Sequence, residues 1–174
     1  LCDLSVVAAL TEAAPSTMGW LMGMGTHFDR NPDGTFSLGK EGGHRVARIL
    51  HSAGTSTGLE LQRSLIARAR SHPKIDLIPR TTAVDLLKDA EGRVAGLMAF
   101  LHRNGGSHPE EVVFEASAVV LATGGGGQIF RETTNPHLAT GDGLAMALRA
   151  GATLRDLEFV QFHPTILYLA GAAR

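Results

Sequence analysis

Ala118-Val119-Val120-Leu121-Ala122-Thr123-Gly124-Gly125-Gly126-Gly127 is the stretch on which the fold turns. An unbroken apolar run such as 118–122 predicts a strand covered on both faces, as in a parallel sheet; a half-solvated strand alternates instead. Four glycines follow at once, where such a strand would end. Backbone without Cβ atoms lets a flat or phosphorylated ligand approach closely, and free N–H groups at a strand end hold anions. Ligands of open α/β sheets collect at the carboxyl ends of strands. A flexible turn is the plainer reading of the same glycines, and both stay open at this point. The dinucleotide fingerprint is not present: Gly124-x-Gly126 leads to Ile129 where the last Gly or Ala belongs.

Downstream, Thr140-Gly141-Asp142-Gly143 opens a predicted helix, Leu144 to Ala150, stopped at Gly151. Asp at a helix start is commonly a cap worth about 1 kcal/mol. Between glycines, its carboxylate is also placed to accept hydrogen bonds from ligand hydroxyls such as a ribityl chain. Leu157 to Phe162 is predicted as a strand leading into His163-Pro164-Thr165. A residue before Pro is extended, and an imidazole there pairs with a substrate carboxylate near neutral pH. A merely packed or solvent-facing His is the competing reading.

Upstream, Ile75–Ile78, Thr81–Lys88, Val94–His102 and Val112–Glu115 are short strand-like runs. Asp89-Ala90-Glu91-Gly92 and Asn104-Gly105-Gly106 separate them, which predicts a small antiparallel meander within residues 73–117. Leu59, Leu61, Leu65, Ile66 and Ala69 mark an amphipathic helix over Ser56–Arg70, ended by His72-Pro73. Residues 1–24 carry two helical runs parted at Pro15-Ser16, with Ser16 or Thr17 capping the second. His27 to Lys40 is loop or hairpin, built around Asn31-Pro32-Asp33-Gly34. In Lys40-Glu41-Gly42-Gly43-His44-Arg45, with Arg48 and His51 behind, polar groups surround a glycine pair. They are suited to a zwitterionic substrate, or equally to the polar face of a short helix.

Composition narrows the classes. The 174 residues carry 16 Lys or Arg against 17 Asp or Glu, so no basic surface exists to neutralise a row of phosphates. Nucleic acid and anionic membrane surfaces are therefore not expected partners. Cys2 is the single cysteine, which excludes an internal disulfide and a multi-cysteine metal site, and no metal site is expected. No apolar run approaches the ~20 residues of a spanning helix, and a cytoplasmic protein is expected. Glycine supplies 21 residues, well above a usual share of about 7%, and is clustered at 42–43, 105–106, 124–127 and 141–143.

In this order the motifs resemble the flavoprotein family of fumarate reductases, succinate dehydrogenases and L-aspartate oxidases. The carrying residues are Ala122-Thr123-Gly124-Gly125, Thr134-Asn135-Pro136, Thr140-Gly141-Asp142-Gly143 and Leu157-Glu158-Phe159-Val160-Gln161-Phe162-His163-Pro164-Thr165. The last block is highly specific, and the likeness runs over essentially the whole chain. Within the family, Glu41-Gly42-Gly43-His44 with Arg48-Ile49-Leu50-His51 resembles the L-aspartate oxidase branch; the dehydrogenase branch has an apolar residue where Glu41 stands.

The resemblance implies an α/β fold: part of a Rossmann-type FAD-binding domain, a parallel sheet with helices, plus the small antiparallel meander. It implies FAD as cofactor, with Ala83 and Val84 by the adenine, Ala122, Thr123 and Gly124 by the diphosphate, and Asp142 also binding the cofactor. His163 would hold a substrate carboxylate, Glu41 would face the amino group of aspartate, and His44 would join them at the substrate. No catalytic residue is assigned within the chain. The implied reaction is oxidation of L-aspartate to iminoaspartate with oxygen or fumarate as acceptor, the first step of NAD synthesis from aspartate, with quinolinate synthase as a partner. A fumarate reductase or succinate dehydrogenase flavoprotein is the alternative, and a non-catalytic structural module a third. The family's N-terminal fingerprint would precede Leu1 and its capping domain would follow Arg174. Residues 1–174 are thus expected to be the central part of the FAD-binding domain, inactive by themselves.

Overall fold

Asp3 begins the first helix, α1 (Leu4–Gly23), its carboxylate accepting the N–H groups of Ser5 and Val6 at 2.9 and 3.4 Å. The computed structural model describes residues 2–54, 56–103 and 108–162. Its chain divides into two compact units, Leu1–Ile78 and Pro79–Arg174.

In the first unit α1 passes straight through Pro15, against the expectation of two helices. Proline removes the N–H that would have met the Thr11 carbonyl, and Thr11 is exposed, so the freed acceptor is not lost to a dry interior. Ser16 and Thr17 cap nothing; both hydroxyls donate back to the Ala13 carbonyl at 2.9 Å. The predicted hairpin forms at 27–40, where Arg30 bridges to Phe36 and its guanidinium lies 4.1 Å over the Phe36 ring. A two-residue ladder follows, β1 (Leu38–Gly39) antiparallel to β2 (Ile49–Leu50). Helix α2 (Thr57–Arg70) matches the amphipathic pattern. Its Ser64 is fully buried, sharing a 2.7 Å hydroxyl–hydroxyl bond with buried Thr26 beyond the end of α1. Ile75–Ile78 forms no strand, and Ile75, Leu77 and Ile78 are each close to half exposed.

The second unit opens with the expected meander, β3 (Thr81–Lys88), β4 (Val94–Leu101) and β5 (Glu110–Glu115), in that order and antiparallel throughout. Gly96 in the central strand is obligatory, because a Cβ there would run into the Phe114 carbonyl oxygen of β5. A bulge interrupts β3: Ala83 pairs with Ala99 and Asp85 with Met98, leaving Val84 as the extra residue. Helix α3 (Asp142–Ala150) packs on β3, with Met146 buried and Gly151 closing it in the left-handed region.

Ala118–Ala122 does not form the expected strand. Both sheets among the described residues are antiparallel, no strand lies beside 118–122, and Val120 is 88% exposed. Without a neighbouring strand among the described residues the apolar run has nothing to pair with. Leu157–Phe162 is likewise not a strand; a turn with Phe159 N–H on the Asp156 carbonyl occupies its start.

Candidate functional site

In the second unit, side chains absent from glycines decide what can lie together. A Cβ on Gly143 would collide with the Thr123 hydroxyl, so only glycine lets the start of α3 touch the end of the apolar run. The Gly126 Cα lies 3.5 Å from where a Cβ of Gly141 would stand. A Cβ on Gly127 would meet the Asn135 side chain at 2.5 Å. Gln128 closes the loop between these glycine runs, its N–H on the Ala139 carbonyl (2.9 Å) and its Nε2 on the carbonyls of Asn135 (2.9 Å) and Pro136 (3.2 Å). Ala122–Gly127 and Thr140–Gly143 are therefore held side by side. The role of Asn135 and Gln128 is invisible in one sequence, because neither lies at a fixed spacing from a partner.

Asp142 is not the cap of α3. That position belongs to Gly141, at φ +81°, which has no side chain to offer, so the first-turn N–H groups receive no side-chain cap. The Asp142 carboxylate instead accepts the Thr140 hydroxyl at 2.7 Å and is exposed, as are Thr123 and Gly124. Ala83 and Val84 sit at the β3 bulge. Arg149, near the far end of α3, donates to the Val84 carbonyl at 3.1 Å and to Asp85 at 2.8 Å. That pairing holds the Asp85 carboxyl below its ordinary range, chiefly through the guanidinium. One helix thus touches both predicted cofactor segments, glycine at its start and β3 at its end.

In the first unit Glu41 and His44 share one turn, His44 N–H donating to the Glu41 carbonyl at 3.2 Å across Gly42 and Gly43. Glu41 is exposed; the His44 Nδ1 is buried and has no hydrogen-bond partner. The 40–48 segment is a loop and not the short helix that was the competing reading. His163 lies outside the described residues. No group of three or more His, Cys, Asp or Glu poised for a metal exists among the described residues, and none of their helices is long and apolar enough to cross a membrane.

A family model described as the FAD binding domain matches residues 1–173. The chain belongs to that FAD-binding domain family. Relatives of this flavin domain include the L-aspartate oxidases of Streptomyces coelicolor, 47% identical over 99% of this chain and 30% of that protein, and of Mesorhizobium japonicum, 46% identical over 98% and 32%. A solved E. coli quinol fumarate reductase chain superposes with a TM-score of 0.85 at 37% identity, covering 95% of this chain and 27% of its own. The flavin domain thus spans about a third of the length of the curated relatives it matches. Its fold is mixed α/β, as expected, and its cofactor is FAD. The residues present fit that group: Gly124 and Gly125 offer backbone with open space where a Cβ would stand, beside an uncapped helix start suited to phosphate. The Asp142 carboxylate beside them is an acceptor for hydroxyls.

Proposed function

We propose that the protein carrying this chain is an FAD-dependent L-aspartate oxidase. It converts L-aspartate to iminoaspartate, the first step of NAD synthesis from aspartate, in the cytoplasm, with oxygen or fumarate as acceptor and quinolinate synthase as partner. The observation that carries the reading is Glu41 exposed on its glycine turn, in a chain with relatives named L-aspartate oxidase. A carboxylate there attracts the substrate ammonium and repels a plain dicarboxylate, which is selection by attraction and repulsion at once.

FAD, when bound, would supply the acceptor for the hydride leaving the substrate Cα, while the neutral amine gives up one proton to become the imine. The rest falls to the chain. Ala122, Thr123 and Gly124 lie along the diphosphate, Asp142 takes hydroxyls of the cofactor, and the Ala83–Val84 backbone lies by the adenine. His163 is the residue for a substrate carboxylate, and Glu41 with His44 are the residues for the amino end.

The FAD-loaded protein should oxidise L-aspartate and leave succinate nearly untouched. A reduced flavin appearing with succinate as fast as with L-aspartate would favour the second reading, a fumarate reductase or succinate dehydrogenase flavoprotein, which the likeness to quinol fumarate reductase keeps in play.

A further inference from the structure

We infer that Asp29 and His51 are positioning residues for Glu41, and so help set the preference for an amino diacid. The inference rests on the reading of Glu41 above. Gly42 and Gly43, the latter at φ +83°, follow Glu41, and the His44 N–H on the Glu41 carbonyl closes that side. On the other side Glu41 follows from Gly39 and Lys40.

Gly39 is where His51 acts. The imidazole Cδ2 lies 3.5 Å from where a Gly39 Cβ would stand, so the ring faces the open side of the residue two before Glu41. Arg48 N–H closes the neck of the loop on the Gly39 carbonyl at 3.0 Å, beneath the Leu38–Leu50 and Gly39–Ile49 pairs. Asp29 fixes the ring. Its carboxylate takes His51 Nδ1 at 2.9 Å, Ala53 N–H at 3.0 Å and Gly54 N–H at 3.1 Å. Its backbone is tied to the same strands, Asp29 N–H on the His51 carbonyl and Ser37 N–H on the Asp29 carbonyl, both 2.9 Å.

Ala53 and Gly54 stand at φ +45° and +69°, which turns both N–H groups onto the one carboxylate. For Ala53, which carries a Cβ, that conformation is strained, and the bonds to Asp29 hold it there. Ser37 completes an Asp-His-Ser array, but its hydroxyl is 3.5 Å from Nε2. An activated nucleophile sits at about 2.6–3.2 Å, so the array is scaffolding for the loop.

The test uses the FAD-loaded protein that carries this chain, comparing kcat/KM for L-aspartate oxidation with that for fumarate reduction. His51→Leu should lower the first about tenfold more than the second, as displaced orienting groups do. His51→Asn, whose amide reaches Asp29 from the place of Nδ1, should recover most of the ratio, and Asp29→Asn should reproduce the loss. Trypsin should cut after Lys40 or Arg45 faster in His51→Leu than in His51→Asn, while FAD affinity stays level in both. Adding His51→Leu to Glu41→Gln should take nothing further from the ratio. Equal losses for both reactions in His51→Leu and Asp29→Asn, with Glu41→Gln still collapsing the ratio, overturn the inference alone. A ratio untouched by Glu41→Gln overturns the reading of Glu41 beneath it.

Discussion

In the β3–β4–β5 meander, pairing runs from Thr81 with Leu101 on one side of β4 to Gly96 with Glu115 on the other. Further along the same unit, Ala122–Gly127 and the start of α3 meet outside any strand, touching through glycines and leaving the helix start uncapped. Strand β4 spends its backbone donors and acceptors on its two neighbours, whereas the helix start in the glycine approach keeps its first N–H groups free of any side-chain cap. Stability and binding are thus segregated along one stretch of chain, so substitutions in the two places should fail in different assays.

The largest effect is expected where the approach is tightest. Gly143→Val places side-chain atoms in the space of the Thr123 side chain and should weaken FAD about 100-fold, ~2.7 kcal/mol, by flavin fluorescence titration. Urea unfolding of the meander should be unmoved; if it shifts as much as FAD binding does, the two regions are not separable. The mirror experiment is Gly96→Val, which pushes against the Phe114 carbonyl and should destabilise by about 1–3 kcal/mol, seen as a lower urea midpoint.

Asp142→Asn removes a charged acceptor from the approach and should weaken FAD about tenfold, ~1.4 kcal/mol, with the urea midpoint unchanged. A midpoint that moved with it would make Asp142 a structural residue. The smallest effect lies at the join between the regions. Asp85 is depressed in the folded state by Arg149, so the stability it gives is present above the ordinary carboxylate pKa and is lost as pH falls through the lowered value. Arg149→Gln should therefore flatten the fall in thermal midpoint between pH 5 and pH 3; an unchanged acid limb would mean the pair is incidental.

The meander and helices α2 and α3 were legible because local pattern and final environment agree. Strands of alternating partners, separated by Asp89–Gly92, need only one another, and the α2 stripe needs only one face covered. Ala118–Ala122 was misleading for the opposite reason: an apolar run states that it wants cover, and no strand among the described residues provides it. Pro15 misled because helix rules price a lost hydrogen bond as if the carbonyl were buried, and around an exposed Thr11 it is not. In the site, the glycine clusters at 124–127 and 141–143 were readable as a pair of approaches. Their contact through Thr123, and the ties from Asp29 to His51 and from Arg149 to Val84, depend on residues far apart in sequence with no shared spacing.

The extra residue at Val84 also defines how β3 tolerates changes of length. Because Ala83 and Asp85 pair with the adjacent residues Ala99 and Met98, they present opposite faces of the sheet. Deleting Val84 would restore unbroken alternation and leave Asp85 on its present face, but it would remove the carbonyl that accepts Arg149, whereas single replacements of Val84 would keep that carbonyl. Among homologous chains, β3 should therefore vary freely in the identity of that residue and scarcely at all in its number.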